Sequence, residues 1–286
     1  MNSALLGMVA ALSWGVHDFL ARFPSRAVGP IPTVLAVTVA GLTALSAWLL
    51  IGGGAIHIIW PELWLVAITG IFLTLGTLAL FAALAGGPIS IVAPIAGSYP
   101  ALAMFLALAQ GARPSVLQWL AVVGVMAGVA IVSRSGGRFE ESGELQPGQL
   151  KTVLGLAFLA SLCFAVALTA GQAAVPIFGE VQTVWLARMF GFATIGVLYL
   201  WRTPGDPVPL RWLPLLGLMG CLDVAALGTI TAAGNLPNPE FATVVSSAFG
   251  AVTVLLARAF LKEPIAPAQI AGMALIFGGV GALAGL

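Results

Sequence analysis

Charge is scarce in this chain. Only 7% of its 286 residues are charged, where a soluble domain carries about 25%. With hydrophobic residues at 60% and a mean hydropathy of +1.09, that shortage excludes a water-facing exterior and assigns most of the surface to lipid. Cysteine is scarcer still. Cys163 and Cys221 both fall in apolar runs, so no disulfide framework or thiolate metal site is available, and each reads as a small buried hydrophobe. The eleven Lys and Arg are scattered near the ends of apolar runs with no basic stripe, which excludes nucleic-acid binding. There is no HExxH, no closely spaced pair of membrane aspartates and no Ser–His arrangement beside an elbow glycine, which argues against an intramembrane enzyme. No phosphate-cradling loop is present, which argues against an ATP-driven pump. No cofactor or metal is expected.

What remains is apolar length. A spanning helix needs about 20 apolar residues. The runs between charged, Pro and Gly breaks give ten candidates: 3–22, 31–51, 62–85, 88–109, 115–133, 150–172, 180–201, 212–234, 240–260 and 266–285. The first lacks a basic leader and a cleavage site before Arg22, so it reads as a span and not as a signal peptide. The one long connector, from Ser133 to Leu150, contains Arg134, Gly136, Gly137, Arg138, Glu140, Glu141, Glu144 and Pro147, a linker composition. It divides the chain into 1–133 and 150–286, joined by 134–149, with five candidate spans on each side.

The two sides resemble one another weakly. Aligned, Gly70 falls on Gly220, Ala82 and Ala83 on Ala232 and Ala233, Ala101 on Ala251, Pro114 on Pro264, and Tyr99 on Phe249. An odd number of spans per half forces the second half to enter from the opposite side. The expected fold is therefore an all-α polytopic membrane protein, ten transmembrane helices arranged as two inverted five-helix repeats around a central cavity. That is the plan of secondary transporters, which hold solute near the bilayer midplane. Connections after odd-numbered spans hold Arg22, Arg26, Arg134, Arg138, Lys151, Arg202, Arg211, Arg258 and Lys262, whereas those after even-numbered spans hold only Arg113. The positive-inside rule puts the odd connections in the cytoplasm and both termini outside. Gly124 and Gly128 in span five, and Gly281 and Gly285 in span ten, have the GxxxG spacing of closely packed structural helices, candidates to pack on each other.

Six tryptophans, Trp48, Trp60, Trp64, Trp119, Trp201 and Trp212, sit near run ends as an interfacial belt requires. Trp14 lies mid-span, where its indole N–H needs a partner that lipid cannot supply. Asp223 stands near the centre of span eight. A carboxylate there costs about 2.5–3.5 kcal/mol on insertion scales, so it must face a wet cavity, bond a cation or stay protonated. Arg188, deep in span seven, can lock Asp223, grip a substrate carboxylate in bidentate fashion, or pair with backbone carbonyls. Asp18 and Arg22 are four apart, the spacing of an intrahelical ion pair, which leaves His17 to titrate or to hydrogen-bond a substrate. Span four carries Pro88, Pro94 and Pro100, which bend a helix and free carbonyls. Tyr99 thus stands at a bent midpoint, and Phe249, behind Ser246, at the matching point of span nine. The pair suits either a site for an amphipathic solute or the packing of crossing helices. The turns at Gly86-Gly87-Pro88 and 234–239 are candidate hinges.

Several of these features together resemble the drug/metabolite transporter superfamily: ten spans in two halves, Ser13-Trp14-Gly15, Tyr99-Pro100, and the closing Lys262-Glu263-Pro264, Gln269-Ile270-Ala271-Gly272 and Gly278-Gly279. The likeness is strongest to its ten-helix EamA-type exporters, the bacterial aromatic amino acid exporters among them. It covers the whole chain, although the first-half copy of Glu263-Pro264 is Arg113-Pro114 and lacks the acid. The resemblance implies a basket of helices around a cavity formed mainly by spans one, three, four, six, eight and nine, with Trp14, Tyr99 and Asp223 among the cavity residues. It also implies export of amino acids or similar metabolites from a cell inner membrane. The expected substrate-binding set is Trp14, His17, Tyr99, Arg188, Asp223, Ser246 and Phe249. The expected partners are a small-molecule solute and membrane lipid, with no nucleic acid. A drug or organic-cation exporter is the alternative, with Asp223 neutralising the cation and the aromatic rings stacking on it.

Overall fold

The computed structural model describes residues 3–52, 59–109, 113, 115–135, 139, 145–202, 208–233, 245–246 and 248–285, and every described element is helical. In chain order these are α1 (Ser3–Val28), α2 (Pro30–Gly52), α3 (Leu63–Gly86), α4 (Ile89–Ala96), α5 (Tyr99–Ala109) and α6 (Val116–Ser135). They are followed by α7 (Gln149–Phe178), α8 (Glu180–Arg202), α9 (Leu213–Ala233), α10 (Phe249–Leu256, prolonged by a π turn over Ala257–Leu261) and α11 (Pro267–Gly285). Seven stretches are long and apolar enough to cross a membrane: Pro30–Gly52, Trp60–Gly86, Ile89–Leu106, Val116–Ser135, Gln149–Phe178, Glu180–Arg202 and Leu210–Ile230. Phe249–Leu261 and Pro267–Ala282 are shorter apolar helices. In the central connector Gly136, Gly137, Arg138, Glu140, Glu141 and Glu144 lie outside the described residues, as do Pro114, the candidate hinge at 234–239 and Ser247.

The joints follow from local chemistry. One residue separates α1 from α2: Gly29 takes a left-handed φ of +91°, which ends α1 at no Cβ penalty, and Pro30 opens α2 where no N–H is needed. The first helix therefore runs past Arg22 and Arg26, which belong to α1 and not to a connection, and it carries Pro24 inside it. Span four is two helices. Pro88 precedes α4, Pro94 sits inside it, and the chain breaks at Gly97–Ser98 before Tyr99-Pro100 begins α5. The Ser98 hydroxyl donates to the Ile95 carbonyl at 2.7 Å and lies 3.3 Å from that of Ser161 on α7. The sixth run continues to Phe178, through Pro176, and stops at Gly179 (φ +75°).

Glycine decides where helices cross. A Cβ at Gly70 of α3 would meet the backbone of Ala187 and Gly191 on α8, and a Cβ at Gly220 of α9 would meet Ala40, Gly41 and the Val37 carbonyl on α2. α6 and α11 pack side by side. Their contact uses Gly128, Gly272 and Gly279, while Gly124, the other half of the expected GxxxG pair, has nothing within 4 Å. The contacting faces are set by which glycines the crossing angle brings together, and sequence spacing within one helix does not register that angle. Substituting Ala at Gly70 or Gly220 should therefore cost about 1–3 kcal/mol through overpacking. Gly124→Ala should instead be neutral or gain up to about 1 kcal/mol of helix propensity. Thermal unfolding in detergent distinguishes the two signs.

Candidate functional site

α1, α2, α3, α7, α8 and α9, with the starts of α5 and α10, enclose a cavity of about 110 Å³. Aromatic rings form much of its wall. Trp14 meets Phe249 edge-on with centroids 6.2 Å apart, and Tyr99 meets Phe164 edge-on at 6.4 Å. Val34, Val37, Leu73 and Leu80 add apolar surface, and Thr38, Thr74 and Thr77 add hydroxyls.

The charged groups inside it are organised. Asp223, at the middle of α9, accepts Nη2 of Arg188 at 2.5 Å on Oδ2 and the Trp14 indole N–H at 3.1 Å on Oδ1. Both carboxylate oxygens are therefore engaged, each by a residue from a different helix. Arg188 is 6% exposed and Asp223 23% on their side chains, so the pair sits at the cavity wall with its carboxylate the more open member. Gly41 of α2 makes room, since a Cβ there would run into the Arg188 guanidinium. The Arg188 Nε is buried without a partner. On α1, His17 Nδ1 lies 2.9 Å from Asp18 Oδ1, the ring tilts against Phe81 at 5.6 Å, and Nε2 is buried with no partner.

The expected Asp18–Arg22 pair is absent. One turn beyond Asp18, Arg22 instead donates to Glu263 Oε1 at 2.8 Å and to the Gly87 carbonyl at 2.9 Å. A buried carboxylate from the far end of the chain is a better partner than one on its own helix, because it also closes other open hydrogen bonds. Glu263 accepts the backbone N–H groups of Ile89 at 3.1 Å and Ser90 at 3.0 Å, capping α4 from another part of the fold. The turn that aims it depends on Lys262, which holds a left-handed φ of +56°, and on Arg258, whose Nη1 donates to the Glu263 carbonyl at 3.2 Å. Arg26 donates to the Ala85 carbonyl and Gln149 to that of Gly86. The ends of α1, α3 and α10 and the start of α7 are thus tied on one face. Between that face and the cavity, Phe81, Leu84, Ile91 and Ile95 are fully buried.

Of the expected site residues, Trp14, His17, Tyr99, Arg188, Asp223 and Phe249 line the one cavity. Ser246 does not. It is buried at 2% exposure before the start of α10 at Phe249 and is not part of the cavity lining. Sequence reasoning missed Val34, Val37 and Thr38, because α2 has no charged residue to flag it. It also missed Phe164, one apolar residue among many on α7. For Glu263 the signal was the Glu-Pro motif, although its partner was not legible.

A model of the EamA-like transporter family matches residues 1–134 and again 151–284. The chain belongs to the EamA-like transporter family. It is a multi-pass membrane protein of the drug/metabolite transporter type. Comparison with curated proteins finds no match. Among solved structures, one described only as a crystal structure of a protein is similar with a TM-score of 0.68 at 20% identity, over 98% of this chain and 96% of that one. That likeness speaks to the fold alone.

Proposed function

We propose that this member of the EamA-like family is a secondary transporter, not an enzyme, that exports amino acids, aromatic ones included, and related metabolites across a cell inner membrane by alternating access. Trp14, His17, Tyr99, Arg188, Asp223 and Phe249 would contact the solute. In this reading ten spans form two inverted five-helix repeats, 1–133 and 150–286, joined by 134–149.

The packing pattern supports the duplication. α1 lies on α9 as α7 lies on α3, and α2 lies on α9 as α8 lies on α3. The glycine crossings repeat it: Gly70 meets Gly191, and Gly220 meets Gly41. These are equivalent positions of the two halves when Gly70 is aligned on Gly220. Of the cavity's charges, the pair Arg188–Asp223 has no such copy. The corresponding positions, Thr38 and Leu73, also line the cavity but are uncharged.

The observation that carries the amino-acid reading is that the guanidinium and the carboxylate face one cavity between aromatic walls. Paired with each other they are neutral, so neither of the two is a bare charge in the bilayer when the site is empty. A zwitterion offers a carboxylate for Arg188 and an ammonium for Asp223 in one molecule, while an aromatic side chain meets the rings of Trp14, Tyr99 and Phe249. An organic cation fits less well, because the charge of Asp223 is already met by Arg188 and Trp14. The test is exchange in proteoliposomes: vesicles loaded with unlabelled L-phenylalanine, L-threonine or tetraphenylphosphonium, with the labelled solute outside. Phenylalanine exchange well above protein-free vesicles is the expected result. Exchange of the cation alone would favour the drug-exporter reading, and exchange of neither amino acid would remove the proposal.

A further inference from the structure

We infer that the tied face carries a binding pocket for a phosphate ester, that of an anionic lipid, between the last turns of α1 and the turn that follows α10. The inference does not depend on what passes through the central cavity. Beside the Arg22–Glu263 contact lies a second pocket, of about 450 Å³, lined by Arg22, Arg26, Lys262 and Glu263 and, on its apolar side, by Phe23 and Leu261. Arg22 and Arg26 reach it together because residues four apart share one face of a helix.

Charge balance decides what the pocket takes. Among the described lining residues Glu263 is the one acid, and both its oxygens are in use. Oε1 accepts from Arg22 and from the Ile89 N–H, and Oε2 from the Ser90 N–H. Arg26 engages only Nε, on the Ala85 carbonyl. Its two Nη groups and Nζ of Lys262 meet no acceptor and no carboxylate among the described residues. Three cations therefore share one carboxylate, and two positive charges stay unmatched. Lys262 adds a second sign. Among the described residues it is the one non-glycine with a left-handed backbone, at φ +56°. Glycine would hold that turn without strain, so the turn alone gives no reason for a lysine. A cation needed in the pocket does.

A phosphate ester supplies what is missing: negative charge, with acceptor oxygens for the Arg26 fork and the Lys262 ammonium. Free phosphate would satisfy the cations equally, but only a lipid also has apolar surface to lay against Phe23 and Leu261. The positive-inside rule assigns this face to the cytoplasm, where the leaflet is negatively charged and basic pockets between spanning helices take lipid headgroups. A choline lipid brings its own cation, which the surplus positive charge disfavours. A phosphate bound here bridges α1 to the turn after α10, the two parts that Arg22 and Glu263 already join, and reinforces the closure of that face.

Thermal unfolding of the purified protein in an uncharged detergent tests this, with dioleoylphosphatidylglycerol, dioleoylphosphatidylcholine or sodium phosphate titrated at one ionic strength. Each protein is compared with its own midpoint without additive. Phosphatidylglycerol should raise the wild-type midpoint by about 5 °C at saturation, and phosphatidylcholine should leave it unchanged. Arg26→Gln and Lys262→Gln should each raise the half-saturating lipid concentration about fivefold, and the double variant should lose the shift. Arg211→Gln, which removes an exposed charge outside the pocket, should respond as wild type does. Lys262→Gly separates ligand from turn: its midpoint without lipid should rise as the left-handed strain is relieved, while its response to phosphatidylglycerol weakens as in Lys262→Gln. A shift with sodium phosphate and none with phosphatidylglycerol would overturn the lipid as the source of the phosphate. No shift with either, or an undiminished one in the double variant, overturns the pocket altogether.

Discussion

Arg188→Leu is expected to abolish amino-acid exchange and to destabilise the folded protein by about 3–5 kcal/mol, the usual consequence of leaving one member of a buried ion pair without its partner. Asp223→Leu should do the same from the other side, and in addition it frees the Trp14 indole N–H that Oδ1 accepts. Loss of a desolvated charged contact to the solute should weaken its binding by about two to three orders of magnitude. The double variant Arg188→Leu with Asp223→Leu separates structure from function. Apolar replacement of a whole buried pair is often neutral or stabilising, so thermal unfolding should return close to that of wild type. Exchange should stay absent, because neither end of a zwitterion then finds its counter-charge. Recovery of both stability and exchange in the double variant would show that the pair is only a clamp between α8 and α9.

Removing the carboxylate of Glu263 should unfasten the tied face. In Glu263→Ala the N–H groups of Ile89 and Ser90 lose their acceptor, and Arg22 loses its counter-charge at 13% side-chain exposure. Hydrogen bonds to charged groups contribute about 1.5–3 kcal/mol, so the closed arrangement of this face should lose roughly ten- to hundredfold in population against an open one. A reporter is at hand. Ser90 is completely buried and its hydroxyl has no partner, so Ser90→Cys introduces a thiol of similar size behind the Glu263 contact. With Cys163 and Cys221 replaced, maleimide labelling at position 90 should be slow with Glu263 present and at least about ten times faster in Glu263→Ala. Exchange should fall as well, since a transporter that seldom closes one face seldom completes a cycle. Labelling that stays slow would limit Glu263 to capping α4.

How much was legible varied from residue to residue. Asp223 and Arg188 announced themselves because a charge in an apolar run has few physical explanations. Trp14 did so through its stranded N–H. These are arguments about single residues and their solvent, and they hold wherever the helix ends up. Asp18 misled for a related reason. Its spacing to Arg22 suits a helix pair, but a local pair is worth only about 0.2–0.5 kcal/mol, and the contacts of both residues elsewhere are worth more. Ser246 was assigned by its proximity to Phe249, but it precedes the helix that carries Phe249 and is not among the residues lining the cavity.

By itself the sequence determined the solvent, the all-helical class and the approximate ends of most helices, because apolar length and chain breakers act locally. It also marked the charged residues that a membrane protein must account for. Only the tertiary structure decided which charge meets which: Asp223 with Arg188, His17 with Asp18, and Arg22 with Glu263 across 241 intervening steps of chain. The structure likewise chose Gly70, Gly220, Gly128 and Gly272 as crossing points from among 35 glycines. Partner choice depends on helix rotation and crossing angle, and these are set by the summed packing of many apolar side chains. In so uniformly apolar a chain no single residue carries that information.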